Sequence, residues 1–597
     1  MTENYLGITI DLEKDKLFDE LGIKRLRESY MRDDETSPQH RFAYVSKTFS
    51  SNPEHAQRLY DYASKHWLSY STPILSFGRS SKGMPISCFL NFIEDTAEGL
   101  VDNLSETNWL SMLGGGVGVG FGIRSAGDKS TGIMPHLKIY DASSLAYRQG
   151  KTRRGSYAAY LDISHPDIIP FLEMRKPTGD QNVRCLNMHH GVNITDEFMG
   201  ILERCMLDPE ASDAFELRDP HSGIVRDTVS AKHLWQQILE LRMHTGEPYI
   251  HFIDASNRAL PSWLKEKGLK VRQSNLCSEI ILPTDKDRTA VCCLSSLNLE
   301  NYHEWKTDPM FLKDVAEMLD NVLTYFIDHA PDTISRAKFS AQRERSIGVG
   351  ALGLHSYFQR FGMPFESVVA KITNRAIFKH IREGLDRANL ELGAERGEAP
   401  DAVGTGRRFS HIMAIAPNAS SSIIMGNTSP SIEPYRANAY RQDTLSGAFF
   451  TKNKWLDDII KSITKDDDEY NSIWSSIISN DGSVQHLDIL TKRQKDVFKT
   501  AMEIDQRWVI DLAADRQEFI DQAQSLNLFF RPDAHIKYIH AIHFSAWKKG
   551  LKTLYYCRSE KIGRADRVGA KIERKKIEDE IDLKAIAEGN ECVACEG

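Results

Sequence analysis

The sequence predicts a large mixed α/β protein, either one big barrel with appended segments or about four average domains. Three observations lead there. The chain has 597 residues, 41% of them hydrophobic and 26% charged, the make-up of an ordinary globular protein able to bury a sizeable core. Leu312, Val315, Leu319, Val322, Leu323 and Phe326 recur at helical spacing, as in a helix packed on a core. Passages such as Pro85–Leu90 and Ser274–Glu279 read instead as extended chain.

Charge and cysteine usage narrow the function. A net charge of -8 and a pI near 6.2 leave no domain-wide basic excess to coat nucleic acid, although Lys151–Arg154 could still meet a few phosphates. The start of the chain lacks a basic end followed by an apolar run, and no uncharged apolar stretch approaches a membrane span. A cytoplasmic protein with no membrane partner is expected. Nine cysteines, at 88, 185, 205, 277, 292, 293, 557, 592 and 595, are too few and scattered for a secreted disulfide framework. Cys592 and Cys595 form a CxxC two residues from the carboxyl end, with no further zinc ligands nearby in sequence, and read best as a dithiol redox pair on a tail.

In chain order, residues 1 to about 60 are polar and mixed, with Ser46–Pro53 leading as a loop into a helix. Ser69–Gly78 and Pro85–Leu90 look like loop-to-strand passages carrying hydroxyls and one thiol. A helical stretch from about 95 to 112 runs into the glycine cluster Gly114–Gly120, which suits either a tight turn or close approach of a ligand or strand. Arg175–Arg184 is polar, turn-rich and aperiodic, a surface loop of the kind that carries binding function.

Gly348–Gly353 matches the dinucleotide fingerprint GxGxxG and raises a rival reading, a nicotinamide-dependent dehydrogenase. A charged run, Gln342–Ser346, precedes it where an apolar strand is required, and Ala370–Thr373 stands where the acidic ribose ligand belongs. The match is therefore set aside. Pro417, Asn418, Ala419, Ser420 and Ser421 place amides and hydroxyls before an apolar segment, which suits either a plain helix cap or an anion site. Tyr555 and Tyr556 are adjacent aromatics, alone no more than packing residues.

Asn275, Cys277 and Glu279 would share one face if Ser274–Glu279 is extended, bringing an amide, a thiol and a carboxylate together. A thiol can exchange a hydrogen atom, a carboxylate can act as base and an amide can hold a hydroxyl. By itself the hexapeptide fits a buried Cys with a capping Asn and a surface Glu better.

Together and in order, these stretches resemble the large, catalytic subunit of class I ribonucleotide reductase. The resemblance runs from about Asp34 to the C-terminus. It rests on Ser71-Thr72-Pro73, Ser87-Cys88, the glycine run, Val271–Glu279, Val291-Cys292, Arg345–Gly350, Pro417–Ser422, Ile432-Glu433-Pro434, Leu554-Tyr555-Tyr556 and the terminal cysteine pair. It implies a ten-stranded α/β barrel of two five-stranded parallel halves, with the Cys277 loop threading its centre. The expected division is a helical segment 1–65, the catalytic barrel 66–560 and a tail 561–597.

The resemblance also implies roles. Cys277 would be the transient thiyl radical that takes the 3′ hydrogen of a ribonucleoside diphosphate, Glu279 the base for the 3′-hydroxyl, and Asn275 the holder of the substrate hydroxyls. Cys88 would protonate the departing 2′-hydroxyl and pair with Cys292. Thr72, Ser87, Gly116 and Pro417–Ser421 would bind ribose and diphosphate. Tyr555 and Tyr556 would end a radical relay from a metal-containing small subunit, so no cofactor is covalently bound in this chain. Cys592 and Cys595 would regenerate the dithiol and be reduced by thioredoxin or glutaredoxin.

Asp95 and Arg124 would bind a nucleoside triphosphate effector, dNTP or ATP with Mg2+, and a homodimer is expected. The stretch after Arg124 lacks the second arginine of the family pattern, which leaves the effector rules open. With 71 residues before Thr72 and about 33 before the family-like segment, fewer than the roughly 40 that fold alone, no N-terminal activity-switch domain is expected. Two rivals remain: an adenosylcobalamin-dependent reductase sharing the three-residue pattern, and a nucleotide-binding regulatory protein, which the set Cys88, Cys277, Cys292 and Glu279 argues against.

Overall fold

A computed structural model of the chain describes residues 2–79, 83–86, 88–127, 130–147, 156–444 and 447–559. Ser87, Lys151–Arg154, Cys592 and Cys595 lie outside the described residues. The N-terminal segment is helical as expected, with helices Glu20–Ser29, Pro38–Thr48 and Pro53–Ser64, but a hairpin of Thr2–Tyr5 and Ile8–Asp11 precedes them. Each helix start is written in the sequence. Asp19 accepts from the Gly22 N–H, Ser37 forms a capping box with His40 ahead of Pro38, and Asn52 accepts from the His55 N–H ahead of Pro53.

The strands Cys88–Ile93, Gly116–Phe121, Tyr157–Asp162, His189–Ile194 and Tyr249–Phe252 pair in that order, each parallel to the next. Helices such as Ala97–Met112 and Ala231–Thr245 connect them, and the strands are buried nearly throughout, as parallel strands covered by helices must be. A second parallel half begins with Leu294–Asn298 against Gly348–Leu352. Parallel bridges Val349–Met413 and Ile415–Gln524 extend it, and Tyr555 N–H to Leu526 O and Leu528 N–H to Tyr556 O carry it to the last strand.

Two antiparallel seams join the halves. Ala290–Cys292 pairs with Cys88–Leu90, and Thr553–Leu554 pairs with Ile250–His251. The ring of ten strands is thereby closed, with the halves running in opposite directions. A closed barrel needs no edge protection and leaves its interior open to an inserted loop.

The helices near 95–112 and 312–327 are Ala97–Met112, capped by Thr96, and Phe311–His329. Ser69–Gly78 does not pass from loop to strand: Leu68–Tyr70 is the strand, and Thr72–Leu75 is a helical turn started by Pro73. The glycine cluster is the strand Gly116–Phe121, and a Cβ at Gly118 would lie 2.2 Å from the Ser274 carbonyl oxygen. Gly118 is thus the notch that admits the 271–284 segment. Gly348–Leu352 is a strand whose Gly350 lies against Ala414, where a Cβ would come within 2.8 Å of the carbonyl oxygen, so its glycines serve strand packing. No helix among the described residues is long and apolar enough to cross a membrane.

Candidate active site

Residues 271–284 enter the barrel and are tied to strands of both halves. From the first half, Asn193 Nδ2 donates to Arg272 O at 2.8 Å, and Tyr160 Oη donates to Asn275 O at 2.7 Å. Gln273 Nε2 donates to Asn91 O at 2.6 Å. From the second half, Ala523 N–H donates to Glu279 O at 2.9 Å, and Ser525 Oγ donates to Cys277 O at 2.5 Å. Bonds to strands of both halves hold the tip in place.

The tip is not extended, so strict side-chain alternation does not hold. Residues 276–278 form a turn with Ser278 at φ 66°, closed by Ile280 N–H donating to Asn275 Oδ1 at 3.1 Å. The turn still faces its functional groups inward. Cys277, Cys88, Cys292, Leu276, Tyr555 and Tyr556 belong to one buried cluster separate from the main core. Cys88, Cys292 and Glu279 place their sulfurs and a carboxylate oxygen within 4.8 Å of one another.

Burial decides the electrostatics. Glu279 is 1% exposed, and desolvation, with the Cys88 thiol adding, pushes its carboxyl up to about 8, while Asn275 and the Ser525 hydroxyl pull slightly the other way. Burial and the hydrogen bond with Cys88 push the Cys292 thiol well above the ordinary range. Cys292 is therefore a protonated thiol at neutral pH, suited to giving hydrogen. Asn275 Nδ2 is buried beside the Glu279 carboxyl and could also donate to a ligand hydroxyl. Cys293 faces away, its Sγ 3.6 Å from Leu319 O on the outer helix.

Tyr555 Oη lies 3.7 Å from Cys277 Sγ, and the Tyr555 and Tyr556 rings are 4.2 Å apart. Gly116 is the register partner of Cys88. Thr72 Oγ1 is 3.2 Å from Tyr30 Oη, and Asn418, at φ 56°, starts the short helix Ala419–Ile424 with Ser420 and Ser421 buried at its head. Asn418 Oδ1 accepts from Ser296 Oγ at 3.2 Å. Arg25 reaches in from the N-terminal helix to donate to Ser420 Oγ at 2.9 Å, a cation beside the hydroxyl run that sequence reasoning missed.

Asp95 and Arg124 are paired, with Arg124 Nε donating to Asp95 Oδ2 at 2.8 Å. His221 Nδ1 lies 3.0 Å from the same oxygen, carried there by a turn that Asp219 ties to Ser125. Sequence reasoning missed His221 too. The turn's Asp219–Ser222 spacing was the available signal.

Residues 16–83 match the family described as "Ribonucleotide reductase, all-alpha domain", and residues 86–403 and 400–557 match "Ribonucleotide reductase, barrel domain". The chain is 53% identical to the ribonucleoside-diphosphate reductase large subunit of Invertebrate iridescent virus 3, over 94% of this chain and 97% of that one. It is 31% identical to the Caenorhabditis elegans large subunit, over 93% and 78%. The Actinobacillus ureae class Id ribonucleotide reductase alpha subunit has a similar structure, with TM-score 0.80 and 33% identity over 91% of this chain and 98% of that one. With its closed barrel, inserted cysteine loop and these matches, the chain belongs to the class I ribonucleotide reductase large-subunit family.

Proposed function

We propose that this chain is the catalytic subunit of a ribonucleoside-diphosphate reductase, converting ribonucleoside diphosphates to 2′-deoxyribonucleoside diphosphates. The observation that carries the reading is the Tyr555–Cys277 contact of 3.7 Å inside a closed barrel. An oxidising equivalent from the family's separate, metal-containing small subunit would reach Tyr556 and then Tyr555. A hydrogen atom then moves from Cys277 Sγ to the Tyr555 oxygen, leaving the thiyl.

The thiyl takes the substrate's 3′ hydrogen, which it later returns. S–H and ribose C–H bonds are close enough in strength for this to be reversible. Glu279 takes the 3′-hydroxyl proton, and Asn275 Nδ2 holds the substrate hydroxyls. The 2′-hydroxyl leaves as water with a proton from Cys88. Cys88 and Cys292 give up two electrons and two protons in all and join as a disulfide, so the sum is substrate plus dithiol to product, water and disulfide.

Thr72, Ser87, Gly116 and Pro417–Ser421 would seat ribose and diphosphate. Asp95 and Arg124 would hold a triphosphate effector with Mg2+, and Arg175–Arg184 would relay its identity to the substrate. Cys592 and Cys595, on a tail reaching from 561, would reduce Cys88–Cys292 by thiolate exchange and be reduced in turn by thioredoxin or glutaredoxin. We place the helical segment at 1–65 and the catalytic barrel at 66–560, working as a cytoplasmic homodimer.

The test is CDP reduction by the purified chain, alone, with a small subunit, or with adenosylcobalamin. Turnover that requires the small subunit supports the proposal. Turnover with adenosylcobalamin alone assigns the chain to the other reductase class, and none under any condition leaves nucleotide binding as the function.

A further inference from the structure

Behind the tyrosine pair lies a buried ionic cluster that the reaction scheme does not use. Glu247, 1% exposed, sets Oε1 2.6 Å from His189 Nδ1 and Oε2 3.0 Å from His190 Nδ1, and accepts from the His190 N–H at 3.1 Å. Arg175 Nε lies 3.5 Å from the same Oε2. Burial alone would raise the Glu247 carboxyl, but Arg175 and the two imidazoles more than offset it and hold the group well below the carboxylate range. Glu247 is therefore a buried carboxylate, stable only while its partners stay in place.

Each end of this cluster touches a functional element. His189 Nδ1 is 3.4 Å from Tyr556 Oη, and Tyr249 fills the angle between them, 5.1 Å from Tyr556, 4.7 Å from Tyr555 and stacked on His189 at 6.0 Å. Arg175 opens the Arg175–Arg184 loop, and its Nη1 donates to Leu186 O at 2.6 Å and Met188 O at 2.9 Å. Met188 immediately precedes His189. A rearrangement of the loop therefore acts on His189 by two routes, through the chain and through Glu247.

The carboxylate at 2.6 Å holds the hydrogen on His189 Nδ1, and Tyr556 Oη, 3.4 Å from the same nitrogen, can only share that hydrogen as a second, weaker acceptor. A contact already at 3.4 Å is lost with a small further displacement, since hydrogen bonds fade quickly beyond about 3.2 Å. We propose that Arg175, Glu247 and His189 are positioning residues that couple the Arg175–Arg184 loop to Tyr556, so that the loop's nucleotide-dependent state sets the hydrogen bonding of the relay tyrosine. The proposal rests on the relay reading above and adds a gate to it. None of the three is among the residues assigned to the substrate above.

The test uses the full chain with saturating small subunit and CDP, 3-aminotyrosine being placed at position 556 so that its radical is read by EPR. In the parent, dATP alters that spectrum and stimulates CDP reduction. Glu247→Gln keeps the shape but releases Arg175 and frees the His189 tautomer. The dATP-dependent spectral change should vanish and the stimulation should fall about fivefold or more.

A parent spectrum indifferent to dATP, or a variant that keeps either response in full, would overturn the coupling. If Glu247→Gln fails to fold by circular dichroism, Arg175→Lys, which spares the Glu247–His189 pair, should lose the same two responses, and their retention overturns the proposal equally. Tyr556→Phe separates the two readings. Activity in that variant removes the relay itself, whereas an inactive Tyr556→Phe beside a fully responsive Glu247→Gln removes the coupling alone.

Discussion

Cys88 and Cys292 are direct cross-strand partners at the antiparallel seam where the two halves of the barrel meet. Such partners have Cα atoms about 4.5–5.5 Å apart, inside the range of about 4.4–6.8 Å that a disulfide spans. The pair can therefore oxidise and be reduced again without moving the backbone. Cys293, one residue on, faces the outer helix. After a single turnover without reductant, peptide mapping should find a Cys88–Cys292 disulfide and a Cys293 thiol. Cys293→Ser should keep turnover within about twofold, since a thiol-to-hydroxyl change there touches only packing. A Cys88–Cys293 linkage would contradict the assignment.

Glu279 gives a pH signature. With its carboxyl pushed up to about 8, the base form is a minor species at neutral pH, so kcat/KM should rise about tenfold per pH unit below 8 and level off above it. Stability moves the other way. The folded-state pKa is above the unfolded value, so the contribution present at low pH is lost as pH rises from about 4.5 through about 8. Glu279→Gln should thus be inactive, and its melting temperature relative to the parent should climb across that window. A flat difference would mean the carboxyl is not desolvated.

Tyr555→Phe and Tyr556→Phe keep ring packing at 4.2 Å but remove the O–H that must be oxidised. Deoxynucleotide formation should fall below detection in each while small-subunit affinity, measured by sedimentation, stays within about twofold of the parent. An active Phe variant would break the relay.

Gly118→Ala tests the notch. A Cβ there would meet the Ser274 carbonyl oxygen at 2.2 Å, and the atoms it meets are backbone, so the inserted loop must shift. Overpacking of this kind costs about 1–3 kcal/mol, visible as a lower denaturation midpoint, and a displaced Cys277 should cut turnover by about tenfold or more. Full stability and activity would show that the loop is not seated through Gly118.

What the sequence makes legible is chemistry held in short stretches. Asn275, Cys277 and Glu279 stand within five residues, and Tyr555 and Tyr556 are adjacent. Contacts between distant segments are not legible. Tyr160 meets Asn275 across 115 positions, Ser525 meets Cys277 across 248, and Arg25 meets Ser420 across 395. Such pairs are set by the barrel's closure, which no local pattern encodes. The same anchors explain why the tip of the loop is a turn where alternation suggested a strand: Tyr160 and Ser525 hold its carbonyls from opposite halves of the barrel.

The central claim is that Cys277 is the hydrogen-abstracting thiol, and its most direct test is CDP reduction by Cys277→Ser with saturating small subunit and dithiol reductant. Serine is nearly isosteric, so folding, effector binding and subunit assembly should match the parent while no dCDP forms, because an O–H hydrogen is too strongly bound for the Tyr555 oxygen to take. Measurable dCDP from a verified Cys277→Ser chain would contradict the account.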